Sequence, residues 1–425
     1  MGTTILKGNI AWSDRDRSIL TCDHGYLVFE NDKVAGVFDK LPENYSGANI
    51  TDYGDKLIIP GMTDLHTHAP QYGIRGLGMD AELMDWLKKY TFPEEAKFAE
   101  ESYADRMYDL FIEDLLYGWT TRAVIFASLH TKATEMLMEK LDSSGLVTYV
   151  GRVNMDRDGG KDLVEKDAKT ALRDTEEWIK ETAGKYKNTK PIITPRFIPS
   201  CSDELMLGLS GLAEKYGLMI QSHLCENPGE IALVKKLVPD SEGYTDSYRK
   251  FGSLQDSKHP SVMAHCVYLR DDEIQILKEY GTYIAHCPGS NLNLASGIAP
   301  AAKYLRESLN IGIGTDIGAG ESLSMPHQVV QALQSSNMYW RMKDETVWPL
   351  SFAEAFYMAT LGGGSYFGKT GSFIKDYDGD AIVLDDSEAL AGQRLPLTER
   401  LERAVYLSEK CVVEAKYVRG LKIVG

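Results

Sequence analysis

The chain has 425 residues, 43% hydrophobic and 25% charged, with a mean hydropathy of −0.27. That is enough apolar material for a large core, with room for one large domain or two to three ordinary ones. A formal net charge of −16 and a pI of about 5.1 repel phosphate backbones and anionic lipid, which argues against nucleic acid and membrane surfaces as partners.

No segment approaches the roughly eighteen-residue apolar run of a membrane span. The opening MGTTILKGNIAWSDRD lacks the basic-then-apolar pattern of a signal peptide. The six cysteines (Cys22, Cys201, Cys225, Cys266, Cys287 and Cys411) are scattered and form no C-x-x-C pair. Reduced thiols in a cytoplasmic enzyme are the expectation.

Residues 1–57 read as short strands broken by turns, as in TTILKGNIAW and YLVFENDKVAGVF, with Asn31-Asp32 supplying turn chemistry. Residues 371–425 read similarly: DAIVLD and KCVVEAKYVRGLKIVG are β-rich, and Arg419-Gly420 is a hairpin-turn candidate. Two β-rich ends around a different middle predict a small β-sandwich domain built from both termini.

Between them, 58–370 alternates. Eight apolar runs recur, namely IIPGMTDLHTH, TTRAVIFAS, TYVGRVNMD, PIITPRF, MIQSHLCE, SVMAHCVYL, TYIAHCP and IGIGTDIG, separated by helix-patterned stretches such as SYADRMYDLFIEDLLYG. Eight strand–helix units are the arithmetic of a (β/α)8 TIM barrel, with a doubly wound sheet as the alternative. The stretch WLKKYTFPEE fits either a loop over a pocket, walled by Trp86, Tyr90 or Phe92, or an amphipathic helix ending before Pro93. The glycines of Leu361–Ser365 read as a turn.

The chemistry begins at His66-Thr67-His68. Residues i and i+2 of a strand share a face, so both imidazoles can reach one ion. An H-x-H alone is a weak signal, and two structural histidines are the commoner reading. Five of the nine histidines, however, fall at strand ends: His66, His68, His223, His265 and His286. Asp316 closes the eighth run after a largely apolar stretch, where a carboxylate is costly to bury unpaired. Barrel enzymes build their sites on that face. Imidazoles with a carboxylate suit Zn²⁺, with Fe²⁺ as competitor. The remaining histidines, His24, His130, His259 and His327, read as surface or packing residues.

This order, H-x-H on strand one, histidines on strands five and six and an aspartate on strand eight, resembles the amidohydrolase superfamily. The resemblance implies one divalent metal held by His66, His68, His223 and Asp316, with His265 touching the reacting water or substrate. The family's two-metal members carry a bridging lysine after strand four; PIITPRFIPS has none. Glu226, three residues past His223, matches the family's proton-moving glutamate, a role that suits a carboxylate beside a metal. Catalysis is thereby expected from Glu226, His265 and Asp316.

Further segments, HTHAPQY, TPRFIPSCSDELM, QSHLCEN and AHCPGSNLNL among them, are similar to the superfamily's guanine-deaminase branch. That resemblance implies deamination of guanine to xanthine and ammonia in purine catabolism, by a homodimer acting on a small purine base. It places Gln71, Arg196 and Phe197 on the base, beside His223 and Glu226. Arg196 is a charged donor suited to a carbonyl oxygen, and Phe197 offers a stacking face. Other ring deaminases or chlorohydrolases, and a catalytically inactive scaffold, are the alternatives. Gly289 departs from the branch, which usually has Asn there, and removes a polar side chain near the expected mouth.

Overall fold

The computed structural model describes residues 2–160 and 163–425. Eight parallel strands form its centre: Met62–His68, Thr120–Phe126, Val147–Gly151, Thr189–Pro191, Gln221–Leu224, Val262–His265, Tyr283–His286 and Asn310–Ile313. They are called the first to eighth barrel strands in chain order. The ring closes through Ile313 pairing Asp64 and through a parallel bridge between Ile193 and Ile220.

Helices follow the strands, as the alternation predicted. SYADRMYDLFIEDLLYG forms Glu101–Tyr117. Asp271–Tyr280 ends at Gly281, whose φ of 66° is the left-handed cap that glycine adopts freely. The first and second strands are buried on both faces, the mark of a sheet sandwiched between a filled interior and an outer helical ring.

The third and fourth runs depart from simple strands. TYVGRVNMD divides into Val147–Gly151 and Val153–Asn154, and the fourth run into Thr189–Pro191 and Thr194–Pro195, the two short pieces pairing with each other. The break falls at Ile192–Ile193, where the Ile192 N–H still donates to Val150 but the Ile193 N–H turns to Met219, leading into the fifth strand. Leu361–Ser365 is not a turn. A π-helical turn, Met358–Gly362, runs into it, and Gly363 packs so closely on the eighth strand that a Cβ on Gly312 would lie 2.6 Å from its Cα.

Both chain ends build one seven-stranded sheet. Its order is Leu421–Val424, Val412–Val418, Ala381–Asp385, Ile50–Pro60, Thr3–Ser13, Ile19–Glu30 and Lys33–Phe38. Asn31-Asp32 and Arg419-Gly420 turn its hairpins, the latter pair with φ of 50° and 71°, as two-residue hairpin loops require. The sheet has its own apolar cluster, including Leu6, Leu27, Phe29, Ile58, Val383 and Tyr417.

Charged side chains join this sheet to the barrel floor. Buried Arg122 donates from Nε to Asp380 and from a terminal nitrogen to Asp378, both at 2.6 Å. Lys416, fully buried, donates from Nζ to the carbonyls of Leu115 at 2.7 Å and Thr120 at 2.8 Å. Burial lowers the Lys416 pKa well below the usual lysine value.

Candidate active site

Every strand that bears a candidate residue delivers it at its C-terminal end. His66 and His68 close the first strand, His223 sits one residue before the end of the fifth, and His265 ends the sixth. Asp316 follows Ile313 by three residues. His265 and Asp316 have φ of 72° and 49°, a region that ordinary residues seldom enter without a local demand. Here the backbone turns inward to aim both side chains at one point.

The nitrogens converge. His68 Nε2 lies 3.1 Å from His66 Nε2 and 3.2 Å from His223 Nε2. Asp316 Oδ1 lies 3.2 Å from His66 Nε2 and 3.3 Å from His68 Nε2. His223 Nδ1 lies 2.6 Å from the Arg196 carbonyl, an acceptor, so Nδ1 carries the proton and the Nε2 lone pair faces the cluster. Separations of about 3.3 Å are the edges of a tetrahedron with bonds of about 2.0–2.1 Å, the zinc–imidazole and zinc–carboxylate lengths. Donor chemistry and spacing both fit a divalent cation.

Electrostatics agree. Burial holds His66 and His223 below the ordinary histidine value and takes His68 to about 4, so these rings are neutral and able to ligate. Burial alone would raise the Asp316 pKa, but hydrogen bonds from His66 and His68 outweigh it and keep the carboxyl well below its usual range. Phe126, at the end of the second strand, packs on the three rings at centroid distances of 5.0, 4.5 and 4.8 Å. It walls one side of the cluster with hydrocarbon.

Glu226 stands beside this group. Its Oε2 is 3.4 Å from His265 Nε2, and its Oε1 accepts from Ser296 at 3.1 Å. Burial first, and then the Asp316 charge, push its carboxyl to about 8. His265 Nδ1 pairs with Asn291 Oδ1 at 3.0 Å, leaving Nε2 toward Glu226.

The adjoining cleft is lined by Gln71, Arg196, Phe197, His223, Glu226, His265 and Asp316 on its polar and aromatic sides, and by Leu83, Trp86, Leu87 and Leu294. Of the fifth strand-end histidine, His286, neither ring nitrogen has a partner among the described residues; it is buried outside the cluster. Gly289 is not in the lining: its backbone N–H donates to Gln328, and a Cβ there would press on Gln331.

WLKKYTFPEE is helical rather than a loop, but it does not end before Pro93. A helix over Leu83–Trp86, a π turn over Leu87–Thr91 and a helix over Phe92–Ala96 run through Pro93, which occupies the first turn of the last helix, where proline is tolerated. Trp86 walls the cleft, Tyr90 packs on Gly78, and the Phe92 ring lies 5.2 Å from the Arg196 guanidinium.

Several residues at the site escaped sequence reasoning. Asp64 accepts from the backbone of His66 at 3.1 Å and of Thr315 at 3.0 Å, clamping the first and eighth strands together. Glu230 accepts from the Glu226 N–H at 2.9 Å, and from Tyr244. Glu95 accepts from both Gln71 and Arg196. Asp64, two residues before the H-x-H, carried the one readable signal: an acid within the strand that bears both histidines.

Comparison with known proteins follows the same lines. The amidohydrolase family model matches residues 57–422. The chain is 36% identical over 385 residues to guanine deaminase of Dictyostelium discoideum, covering 88% of this chain and 84% of that protein. It is 36% identical over 425 residues to guanine deaminase of Rattus norvegicus, covering 96% and 92%. A crystal structure of guanine deaminase from C. acetobutylicum with guanine bound in its active site superposes with a TM-score of 0.96, at 45% identity and full coverage of both chains.

Proposed function

Since this chain belongs to the amidohydrolase family, we propose that it hydrolytically deaminates guanine to xanthine and ammonia. The observation that carries this reading is a cation cage opening directly onto a cleft with one fixed cationic donor, Arg196. Identity to guanine deaminases across most of the chain supports it.

Members of this family typically bind a metal, and the residues that would hold it are His66, His68, His223 and Asp316, three nitrogens and an oxygen that favour zinc, with iron as competitor. A divalent ion there supplies the polarisation that makes water nucleophilic at neutral pH.

The side chains do the rest. Glu226, beside His265 and the cation cage, is placed to carry one proton of the attacking water to the ring nitrogen and then the second, from the hydroxyl so added, to the departing amine. His265, its Nδ1–H fixed by Asn291, presents Nε2 to the same reacting centre. Asp316, whose Oδ2 lies 3.9 Å from His265 Nε2, orients the water. Gln71 and Arg196 read the base edge, and Phe197 packs on its face. The apolar wall of Leu83, Trp86, Leu87 and Leu294 excludes bulk water, which strengthens each of these polar contacts.

The rest of the reading has its own supports. Division into a barrel over 58–370 and a composite domain of 1–57 plus 371–425 is supported by the two separate sheets. Six unpaired cysteines suit the cytoplasm. Exposed Met338, Met342 and Trp348 supply apolar surface for a homodimer.

The test is ammonia release from guanine, adenine, cytosine and their nucleosides by purified protein, beside metal analysis. Guanine is expected to be the preferred substrate, with one zinc per chain. Equal turnover of adenine and guanine, or a chain without metal and without ammonia release, overturns the proposal.

A further inference from the structure

Glu95 makes two hydrogen bonds, and both go to the residues that face the base. Its Oε1 accepts from Gln71 Nε2 at 2.9 Å, and its Oε2 accepts from Arg196 at 2.7 Å. All three side chains are almost fully buried. Gln71 and Arg196 line the cleft, whereas Glu95 stands behind them.

An ionised carboxylate can only accept hydrogen bonds. It therefore settles how the ambiguous amide of Gln71 is turned: the NH₂ group faces Glu95, and the carbonyl oxygen is the atom left for a ligand. Arg196 is constrained in the same way. One arm of its fork is committed to Glu95, the Phe92 ring holds the guanidinium plane, and the remaining N–H groups are free to donate. The charges of Glu95 and Arg196 also cancel, so the cleft suits a neutral ring.

We propose that Glu95 is the positioning residue that fixes an acceptor at Gln71 beside a donor at Arg196, and thereby sets which purine edge the cleft accepts. This rests on the guanine-deaminating reading above. Guanine and 2,6-diaminopurine carry the same 2-amino group on the same ring system. They differ along one edge: guanine offers an N1–H donor and an O6 acceptor, whereas 2,6-diaminopurine offers an N1 acceptor and a 6-amino donor. An acceptor beside a donor matches the first and opposes the second.

The experiment compares wild type, E95Q, E95D and the double substitution Q71E/E95Q, each with its zinc content and melting temperature recorded. Wild type is expected to favour guanine over 2,6-diaminopurine by about 10⁴-fold in kcat/KM, the scale of rejection when built-in polar groups are left unpaired. An amide at position 95 both donates and accepts, so in E95Q the Gln71 side chain is free to turn over. Selectivity is expected to narrow at least about tenfold, chiefly through the KM for guanine, with zinc retained. The affinity ratio of hypoxanthine, which has guanine's edge, to adenine, which has the inverted one, should narrow in parallel without any turnover. E95D keeps the carboxylate and is expected to keep the selectivity. In Q71E/E95Q the donor and carboxylate exchange places while an acceptor still faces the cleft, so selectivity returns; this variant also serves should E95Q fold poorly.

Unchanged selectivity in E95Q, with both bases slowed alike, assigns Glu95 to holding the Phe92–Ala96 helix in place and overturns the inference alone. Failure of wild type to release ammonia from guanine overturns the functional reading instead.

Discussion

The two ends of the barrel bury charge in opposite ways. At the floor, Arg122 faces Asp378 and Asp380, Lys33 also pairs with Asp378, and the Arg419 N–H donates to Asp380. Burial would raise the Asp378 carboxyl, but the Arg122 guanidinium outweighs it and leaves the pKa below its ordinary value. At the mouth, Glu226 has a serine hydroxyl and a histidine for company, and its carboxyl is pushed up to about 8. The floor carboxylates Asp378 and Asp380 are answered by cations within the chain. Glu226 at the mouth is left without one, so that a bound cation and a substrate complete its surroundings.

The sharpest way to break this contrast is His66→Ala. Loss of bound metal and of nearly all ammonia release is expected, with the far-ultraviolet circular dichroism of the fold retained. A variant that keeps its full metal content removes His66 from the cage. Next in size is Glu226→Gln, which should keep the metal yet lose about 10²–10⁴ in rate, the usual scale of a general acid–base contribution. Full activity in that variant takes Glu226 out of the mechanism.

Arg122→Met attacks the other end. It leaves the buried Asp380 carboxylate without its cation and Asp378 with Lys33 and Arg419 alone, so a loss of about 3–5 kcal/mol in stability is expected, read as a lower denaturant midpoint. Activity per bound metal should stay within about twofold, because the floor does not touch the cleft. A large fall in specific activity with normal stability would reverse the assignment of roles.

The smallest effect is a pH signature of the chelated protein. Histidines with lowered pKa bind protons more readily unfolded than folded, so their contribution to stability is present above about 6.5, the unfolded histidine value. It is lost as pH falls toward about 4, the His68 value. The floor responds later: the lowered Asp378 pKa gives stability that is lost only as pH drops below the ordinary carboxylate range, near 3.8. The raised Glu226 carboxyl acts in the opposite sense below about 8, so the histidine step is read site by site: the His68 imidazole of the chelated protein should titrate near 4, and zinc should abolish that titration. A His68 ring that titrates near 6.5 in the chelated protein contradicts this account of the mouth.

The contrast also explains what the sequence made legible. Strand ends carrying His66, His68, His223, His265 and Asp316 could be read because a polar residue closing an apolar run is conspicuous, and because parallel strands all deliver their ends to one face. Interrupted strands at Val147–Asn154 and Thr189–Pro195 were harder, since closure geometry rather than composition decides where a ladder breaks. Glu95 was invisible for another reason. It lies about a hundred positions before Arg196 in a helix-patterned segment, where a glutamate is ordinarily a solvated surface group; only the tertiary fold turns it inward. Gly289 looked important by its place in a motif and proves to serve helix packing.

The composite sheet has a consequence for how this protein is made. Ile50–Pro60, which leads directly into the first barrel strand, pairs with Thr3–Ser13 on one side and with Ala381–Asp385 on the other. Lys416, almost at the end of the chain, supplies two donors to carbonyls beside the second barrel strand. A nascent chain therefore cannot complete this sheet or seal the barrel floor until the strands around Lys416 have left the ribosome. Contacts of such sequence separation fold slowly and leave strand edges open in the interim. Closure of this sheet is thus expected to come late and cooperatively, and removal of the strands Val412–Val418 and Leu421–Val424 to cost solubility before it costs chemistry.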